Sequence, residues 1–252
     1  MNTISSHTQP SAADKPLKSE VALVTGSSRG IGRAIAMKLA ELGAAVCVCG
    51  RHKETLAAAA SAIEKHTSAV LAYPADVTDA ASVAALVAAT ERQLGPITIL
   101  VNNAGIGNPG FGPVQEKSPA DWDLVLNTNL KSVFLMVRAV APLMIERRRG
   151  EIIQISSLAG KNTFSGGGVY CASKWGLQGL SGCMAEDLRG YGIRVSLICP
   201  GSVATDFAGR GPKEAGTALR PEDVAHAVAM VLLQGPQSFI SEVQLRPVRK
   251  PS

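Results

Sequence analysis

Tyr170 and Lys174 are the side chains whose types and spacing best suit proton-transfer chemistry. They lie four residues apart in the sequence YCASK, and residues i and i+4 share one face of a helix. A cation beside a phenol favours the phenolate, so we expect Lys174 to lower the pKa of Tyr170 from its ordinary value of about 10. The pair predicts a general acid/base, although the same spacing also arises by accident in helices.

Ser157 precedes Tyr170 by thirteen residues and follows the apolar run IIQI. A hydroxyl at the end of a strand can hydrogen-bond a substrate oxygen on which charge develops. Ser157 is therefore a candidate partner of Tyr170 in the same site.

The rest of the chain alternates between apolar runs and helical segments. The predicted strands are 21–25, 45–49, 69–72, 97–101, 151–156, 193–199 and 239–245, and the predicted helices are 30–42, 54–65, 79–94, 119–148, 168–189 and 221–233. Within the long fourth helix, Pro142 predicts a kink. Seven strands joined by crossover helices predict an α/β, doubly wound (Rossmann) parallel sheet with helices on both faces, in a single domain over 19–252.

Composition narrows the class of protein. The 252 residues are 46% hydrophobic and 18% charged, which suits a covered parallel sheet, and no apolar run looks long enough to cross a bilayer. Residues 1–18 are polar and are interpreted as a disordered leader without the apolar middle of a signal peptide, so we expect a cytoplasmic protein. The five cysteines have no metal-ligand spacing, and we expect buried free thiols and no metal.

The net charge of +5 is concentrated partly in the three arginines at 147–149. No aromatic residues are interleaved with them, so a nucleic-acid site is not favoured. Cations at a helix C-terminus, where they face the negative end of the helix dipole, are the simpler interpretation.

A glycine-rich turn connects the first strand to the first helix. It reads TGSSRGIG from residue 25 to residue 32. Glycines let the backbone approach a pyrophosphate, which rests on the helix N-terminus. The candidate cofactor-binding residues here are Gly26, Ser28, Arg29, Gly30, Ile31 and Gly32.

Together with four later motifs, this turn resembles the classical short-chain dehydrogenase/reductase family over about residues 19–240. The later motifs are NNAG at 102–105, Asn129, the Ser157/Tyr170/Lys174 set, and Pro200-Gly201. The resemblance is nearest to 3-oxoacyl-[acyl carrier protein] reductase-like members.

The resemblance implies a role for each matching residue. Tyr170 would be the acid/base, Ser157 would orient the substrate carbonyl, and Lys174 would hold the nicotinamide ribose. Asn129 would hold a water that links Lys174 to solvent. The remaining cofactor contacts that it implies are Asp76 and Val77 near the adenine, Asn103 on the adenosine side with Ala104 and Gly105 in the same motif, and Pro200, Gly201, Val203 and Thr205 near the nicotinamide.

The end of the second strand predicts which dinucleotide binds. NAD enzymes place an acid there for the ribose hydroxyls, whereas NADP enzymes supply a cation for the 2′-phosphate. This strand ends in CGRH, without an acid, and Arg51 is supported by Arg29 in the glycine turn. Two arginines suit a phosphate, so we expect NADP(H), although both can also be solvated surface groups.

The substrate side is predicted less sharply. Residues 207–219 suit a mobile lid, in which Arg210 and Lys213 either meet an anionic substrate or solvate the loop. Phe164 and the glycines at 166–168 precede Tyr170, and they predict that the substrate site is open on this side. The last strand lacks the Thr-Gly-Gln … Asp-Gly-Gly segment of many family members, which puts the usual C-terminal subunit contact in doubt.

These observations predict an NADP(H)-dependent oxidoreductase that acts on a carbonyl or a secondary alcohol, free or carrier-bound, with 3-oxoacyl-[acyl carrier protein] reductase as the nearest activity. The alternative is a catalytically weak NADP-binding sensor on the same fold. We also expect a homo-oligomer, with a tetramer favoured over a dimer, and neither a nucleic-acid nor a membrane partner.

Overall fold

The computed structural model describes residues 15–67, 69–107, 112–207 and 217–249. Within them, a seven-stranded parallel sheet has the order β3-β2-β1-β4-β5-β6-β7. The strands are β1 Val21–Val24, β2 Ala45–Gly50, β3 Val70–Pro74, β4 Ile99–Asn102, β5 Gly150–Ile155, β6 Ile193–Pro200 and β7 Glu242–Leu245. The helices are α1 Gly30–Glu41, α2 Lys53–Ile63, α3 Ala80–Leu94, α4 Pro119–Leu126, α5 Ser132–Arg147, α6 Gly168–Arg189 and α7 Pro221–Leu232.

Each face of the sheet is covered by a layer of helices. Alternation along the strands sends Leu23, Leu100 and Ile152 into the core beneath α3, α5 and α6. Their neighbours Val24, Val101 and Ile153 enter the opposite core beneath α1, α2 and α7. All six are fully buried, as expected of parallel strands with helices on both sides. The predicted doubly wound fold is confirmed.

The order of the strands fixes where a ligand can bind. The chain builds outward from β1 to β3 on one side and then crosses to β4 on the other side of β1. A crevice forms at such a switch point, outside the carboxyl ends of the strands. The glycine turn after β1 and the NNAG motif at the end of β4 both lie at this edge.

Most of the predicted elements lie within a few residues of those observed, and α3 begins after Asp79 as predicted, with the Asp79 carboxylate accepting from Ser82 N. Two boundaries were wrong. The last strand begins at Glu242 rather than at 239. The predicted disordered leader overlaps the fold at 15–18, because Leu17 is buried and its N–H donates to Leu42 O at 2.9 Å. Residues 1–14 lie outside the described residues.

The predicted helix over 119–148 is continuous but irregular. A π-helical turn, Asn127–Lys131, separates α4 from α5, whereas Pro142 lies inside α5. The prediction that no segment is long enough to cross a membrane was wrong. By length and composition Pro119–Arg147 passes that test, as core helices of soluble proteins also do, and half of its apolar stretch is buried within the protein.

Two predictions about side-chain environments also need correction. Cys47, Cys49, Cys171 and Cys199 are buried free thiols, but Cys183 is exposed on α6. Near the end of α5, Arg147 and Arg149 do more than face a helix dipole. They form ion pairs with Glu91 and Glu20, respectively, on distant parts of the chain.

Candidate active site

Ser157, Tyr170 and Lys174 converge at the carboxyl end of β5. Ser157 is the second residue after this strand, and α6 carries the Tyr170 and Lys174 side chains. The Ser157 hydroxyl lies close enough to the Tyr170 phenol to lower its pKa, and it accepts a hydrogen bond from Ala159 N at 3.1 Å. Lys174 Nζ donates to Ile155 O at 3.0 Å and lies 5.9 Å from the centre of the Tyr170 ring. The sequence spacing therefore places a hydroxyl, a phenol and an amine in one site.

The direction of the Tyr170 pKa shift differs from the prediction. Burial raises the pKa of Tyr170 to about 12, and the hydrogen bond to Ser157 offsets only part of this rise. Burial also lowers the pKa of Lys174 to about 8. Both shifts have one cause, since a low-dielectric surrounding disfavours the charged form of either group. In this state of the protein, desolvation outweighs any stabilisation of the phenolate by Lys174.

Asn129 is held behind Lys174 by the π-helical turn. Its Oδ1 accepts from Ile106 N at 2.8 Å, and its Nδ2 donates to Ile106 O at 2.9 Å and to Ser173 Oγ at 3.1 Å. A Cβ built on Gly105 would lie 3.3 Å from Asn129 Oδ1 and 3.8 Å from Lys174 Nζ. Asn129 thus ties the loop after β4 to α6 beside the amine. π-helical turns are rare and often occur at functional sites.

Thr25 and Asn103 hold the glycine turn against β4. Thr25 Oγ1 accepts from the backbone N–H groups of Asn103 and Ala104 at 2.9 and 3.0 Å. Asn103 Nδ2 donates to Thr25 O at 2.8 Å and to Gly26 O at 3.1 Å. The amide of Asn103, predicted to contact adenosine, is therefore engaged with the turn. Thr25 was missing from the predicted site, although it opens the glycine motif.

Only glycine fits at Gly26 and Gly32. Gly26 has φ +62°, and a Cβ there would lie 2.8 Å from Ala104 Cα. A Cβ on Gly32 would overlap Asn103 Nδ2 and the backbone of the turn. Helix α1 begins at Gly30, within this turn, and has no side-chain cap and no acid in its first helical turn. Its backbone N–H groups and the positive end of its dipole suit a pyrophosphate, so the residues present fit a dinucleotide.

The predicted adenosine contacts gather around the end of β2. Arg29 and Arg51 are exposed there, and a Cβ on Gly50 would lie 3.4 Å from Ser28 Oγ. Hydrogen bonds from Thr78 hold the pKa of Asp76 below its ordinary value, and the nearby charge of Arg51 acts in the same direction. Arg51 therefore lies within electrostatic range of Asp76, and Val77 beside it is buried. Gly30 and Ile31 begin α1 directly after Arg29.

The loop after β6 returns over the glycine turn. Gly201 N donates to Leu245 O at 2.8 Å, which anchors the Pro200-Gly201 pair to β7. Val203 pairs with Leu219 in an isolated parallel bridge. A Cβ on Gly30 would meet Thr205 Cγ2 at 3.4 Å. The structure thus brings this predicted nicotinamide-side segment against the start of α1.

Two phenyl rings border the N-terminal turn of α6. The ring of Phe207 packs edge-on against that of Tyr170, with 6.0 Å between centroids. Phe164 packs on Gly167, which is buried. The side of the substrate site that was predicted to be open is therefore partly covered by Phe164. Most of the predicted lid, including Arg210 and Lys213, lies outside the described residues.

The arrangement comprises a glycine turn at an uncapped helix, a switch-point crevice, and a Ser–Tyr–Lys set beside it. A family model of short chain dehydrogenases matches residues 20–215 of the chain. The chain belongs to the short-chain dehydrogenase family. Membership establishes that its reaction class is oxidoreduction.

Solved and curated relatives agree over nearly the whole length. A metagenomic short-chain oxidoreductase in complex with NADP is 43% identical, with a TM-score of 0.82, over 93% of this chain and 99% of its own. An actinorhodin polyketide ketoreductase with NADPH is 32% identical, with a TM-score of 0.82, over 90% and 94%. The NADP-dependent 3-hydroxy acid dehydrogenase YdfG of Salmonella typhi is 37% identical over 90% of this chain and 95% of its own.

Proposed function

We propose that this short-chain dehydrogenase uses NADP(H) to interconvert a carbonyl compound and a secondary alcohol. The observation that carries the proposal is that three groups meet at the carboxyl end of the sheet. The Ser157 hydroxyl lies close enough to the Tyr170 phenol to lower its pKa, and the Lys174 amine lies 5.9 Å from the centre of the Tyr170 ring. Two hydroxyl groups that already face one another can both reach a single carbonyl oxygen. Complexes of similar proteins with NADP and NADPH support the choice of cofactor.

The chain's own residues supply the proton and the orientation. When bound, the nicotinamide supplies or accepts the hydride at the carbonyl carbon. During reduction, the Ser157 and Tyr170 hydroxyls donate hydrogen bonds to the carbonyl oxygen, and the Tyr170 phenol transfers its proton to that oxygen as negative charge develops. A Tyr170 pKa near 12 keeps the phenol protonated at neutral pH, which is the form that reduction requires.

Lys174 and Asn129 act behind the phenol. The Lys174 amine is buried and donates to Ile155 O, so its position in the site is fixed while its other N–H bonds can serve the nicotinamide ribose. Because Asn129 binds both polar groups of Ile106, it keeps Gly105 in contact distance of this amine. The water relay through Asn129 stays a prediction.

The 2′-phosphate would be held by Arg51 and Arg29, with Ser28 at the same edge. No acidic residue occupies the end of β2, and both guanidinium groups are exposed to a ligand approaching from solvent. Planar guanidinium groups donate paired hydrogen bonds to phosphate oxygens. This charge arrangement supports NADP(H) over NAD(H).

A 3-oxoacyl thioester on a carrier protein belongs to this substrate class and is the first physiological substrate to test. The similarity to a polyketide ketoreductase supports it. The similarity to a 3-hydroxy acid dehydrogenase supports a free acid as the second substrate to test. Both carry a carbonyl two bonds from a carboxyl-derived group.

The alternative is a protein that binds NADP without turnover. It is disfavoured because a sensor has no use for a Ser–Tyr–Lys set assembled beside the cofactor crevice. A panel of ketones, aldehydes, 3-oxoacyl thioesters and secondary alcohols, monitored by NADPH absorbance, separates the two. We expect turnover of at least one carbonyl. Tight NADPH binding with no turnover across the panel would favour the sensor.

We also propose that the chain forms a homo-oligomer, with a tetramer favoured over a dimer. Trp122 on α4, Phe134 on α5 and Trp175 on α6 are between 41% and 50% exposed, which is unusual for large apolar side chains on adjacent helices. Light scattering at micromolar concentration should give a mass above that of one 26.1 kDa chain, and a monomeric mass would contradict the proposal. A cytoplasmic location stays a prediction.

A further inference from the structure

Phe164 and Phe207 present the most conspicuous apolar surface near the reacting groups. Their side chains are 47% and 43% exposed, respectively. Phe207 touches the Tyr170 ring edge-on, with an interplanar angle of 61°. A Cβ built on Gly167 would lie 2.6 Å from Phe164 Cε2, so this ring lies directly on the residue that precedes α6. Both rings thus border the helical turn that carries Tyr170.

The two charged residues that the structure describes within three positions of either ring, Lys161 and Asp206, offer no unpaired cation to an anion. Asp206, next to Phe207, is exposed and carries a carboxylate. Lys161, three residues before Phe164, is already paired with Glu242 at 2.7 Å. A negatively charged substituent would gain no ion pair from either of these residues, whereas an apolar one would remove two phenyl surfaces from water.

We propose that Phe164 and Phe207 bind the larger substituent of the substrate, and that this substituent is apolar, as in an aryl or alkyl ketone, rather than a carboxylate. The inference rests on the proposed function, because it assumes that the carbonyl sits at Tyr170. It distinguishes this chain from its relative named for 3-hydroxy acids, and it assigns specificity to two residues outside the Ser–Tyr–Lys set.

Three methyl ketones test the inference with the full-length protein and NADPH. Acetophenone carries a phenyl group, acetoacetate carries a carboxylate, and ethyl acetoacetate has the skeleton of acetoacetate without the charge. We expect kcat/KM to be at least about tenfold higher for acetophenone than for acetoacetate, since burying a phenyl group is worth at least that factor. Ethyl acetoacetate should fall between them.

Two variants then locate the effect. Phe164→Ala and Phe207→Ala should each lower kcat/KM for acetophenone about tenfold, mainly through KM, and change that for acetoacetate less than about twofold. Phe207→Leu should recover most of the loss. Phe239→Ala is the matched control, because Phe239 is 37% exposed but lies at the opposite end of the sheet, beside Ser238, which binds Arg194.

The outcomes distinguish failure of the apolar substrate site from failure of the proposed function. A preference for acetoacetate, or equal losses on all three ketones in the alanine variants, would overturn the apolar site and leave the proposed function intact. NADPH binding without turnover of any carbonyl in the wider panel would remove the proposed function and this inference with it.

Discussion

The two ends of the parallel sheet handle charge in opposite ways. At the amino end, arginines are matched with carboxylates, in the pairs Arg149–Glu20, Arg194–Glu151 and Arg147–Glu91. At the carboxyl end, the buried Lys174 amine has a backbone carbonyl as its hydrogen-bond acceptor. The start of α1 there has no side-chain cap. The amino end neutralises its charges internally, whereas the carboxyl end, apart from the Lys161–Glu242 pair, keeps donors for a ligand.

This difference shows why a cavity by itself is a poor guide to function. A cavity of about 310 Å³ opens at the amino end and is lined by Glu20, Arg149, Glu151 and Arg194. Its charges already neutralise one another, so a ligand would have to displace existing ion pairs. The carboxyl end has fixed N–H donors, shifted pKa values and glycines that admit a close approach, which are the features of a site prepared for chemistry.

The largest effect is expected from Tyr170→Phe, which removes one hydroxyl at the carboxyl end. Because only the proton donor is lost, kcat should fall by about 10²- to 10⁴-fold while NADPH affinity stays within about twofold. Steady-state kinetics and a cofactor titration give both numbers. Tyr191→Phe is the matched control, since Tyr191 is 40% exposed beyond the far end of α6. Near-normal kcat in Tyr170→Phe would mean that another group donates the proton.

Arg51→Ala tests whether an unpaired cation at the carboxyl end serves the cofactor. Loss of a charge-assisted contact costs about 1.5–3 kcal/mol, so NADPH should bind about ten- to a hundredfold more weakly. NADH has no 2′-phosphate, and its affinity should not change. Arg29→Ala should add to the loss, but less than additively if both arginines contact one phosphate.

A matched control for Arg51→Ala is Arg189→Ala, which removes an exposed arginine whose partner is the exposed Glu186. It should affect neither cofactor. Equal weakening of NADH and NADPH in Arg51→Ala would assign Arg51 a structural role, and a parent protein that prefers NADH would overturn the choice of NADP(H).

The pH profile of carbonyl reduction tests the buried amine. Burial lowers the pKa of Lys174 to about 8, so the ammonium form is lost as the pH rises through that value, while Tyr170 stays protonated up to about pH 12. With the ammonium required, kcat/KM should fall up to about tenfold per pH unit above pH 8. Arg51→Ala should keep this fall above pH 8, because Arg51 is exposed and lies away from Lys174. A profile that stays flat from pH 7 to 10 would contradict the assignment.

The shifted pKa of Lys174 should also make the free energy of unfolding depend on pH. The unfolded state has the ordinary Lys pKa of 10.5 and binds more protons than the folded state between about pH 8 and that value. Unfolding free energy should therefore rise with pH over this window. Tyr170 acts in the opposite sense above its ordinary pKa of 10.0, because its folded pKa is raised to about 12.

The sequence predicted the features that local interactions determine, and it missed those that depend on contacts between residues distant along the chain. The fold and the meeting of Ser157 with Tyr170 follow from local patterns, namely apolar strand runs, a glycine turn and i, i+4 spacing. The π-helical turn at Asn127–Lys131 has no such local signal, and Pro142, which does have one, marks no break between α4 and α5. The pKa of Tyr170 depends on how deeply α6 packs, which spacing does not encode.

The arginines at 147–149 show the same limit of local reasoning. A helix-end position predicts an interaction with the helix dipole, but the acids that pair with Arg147 and Arg149 come from α3 and from the residue before β1. Partners so distant along the chain become visible only once the sheet has assembled. The partners of charged residues at the amino end of the sheet were therefore harder to predict from the sequence than the residues that meet at its carboxyl end.

The smallest effect on activity is expected from breaking an ion pair at the amino end. Arg194 Nε donates to Glu151 Oε1 at 2.6 Å, and its NH1 group donates to Gly235 O and Ser238 O at 3.2 and 2.9 Å. Arg194→Ala should lower the unfolding free energy by about 2 kcal/mol, because a half-buried carboxylate loses its partner. NADPH affinity and kcat should stay within about twofold. Denaturant unfolding measures the loss of free energy, and steady-state kinetics with a cofactor titration measures kcat and NADPH affinity.

The pH dependence of this loss distinguishes the ion pair from simple packing. Burial already raises the pKa of Glu151 above its ordinary value, with Arg194 partly offsetting the rise, so removing Arg194 should raise it further. A raised carboxyl pKa means that the folded state binds the extra proton, and stability falls as pH rises through the interval above the ordinary value. The loss in Arg194→Ala should therefore be smaller at pH 5 than at pH 8, and Glu151→Gln in the same chain should recover part of it at pH 8. If the loss is independent of pH, Arg194 stabilises the amino end through its aliphatic stem and its two carbonyl contacts; if kcat falls with it, the two ends of the sheet are not independent.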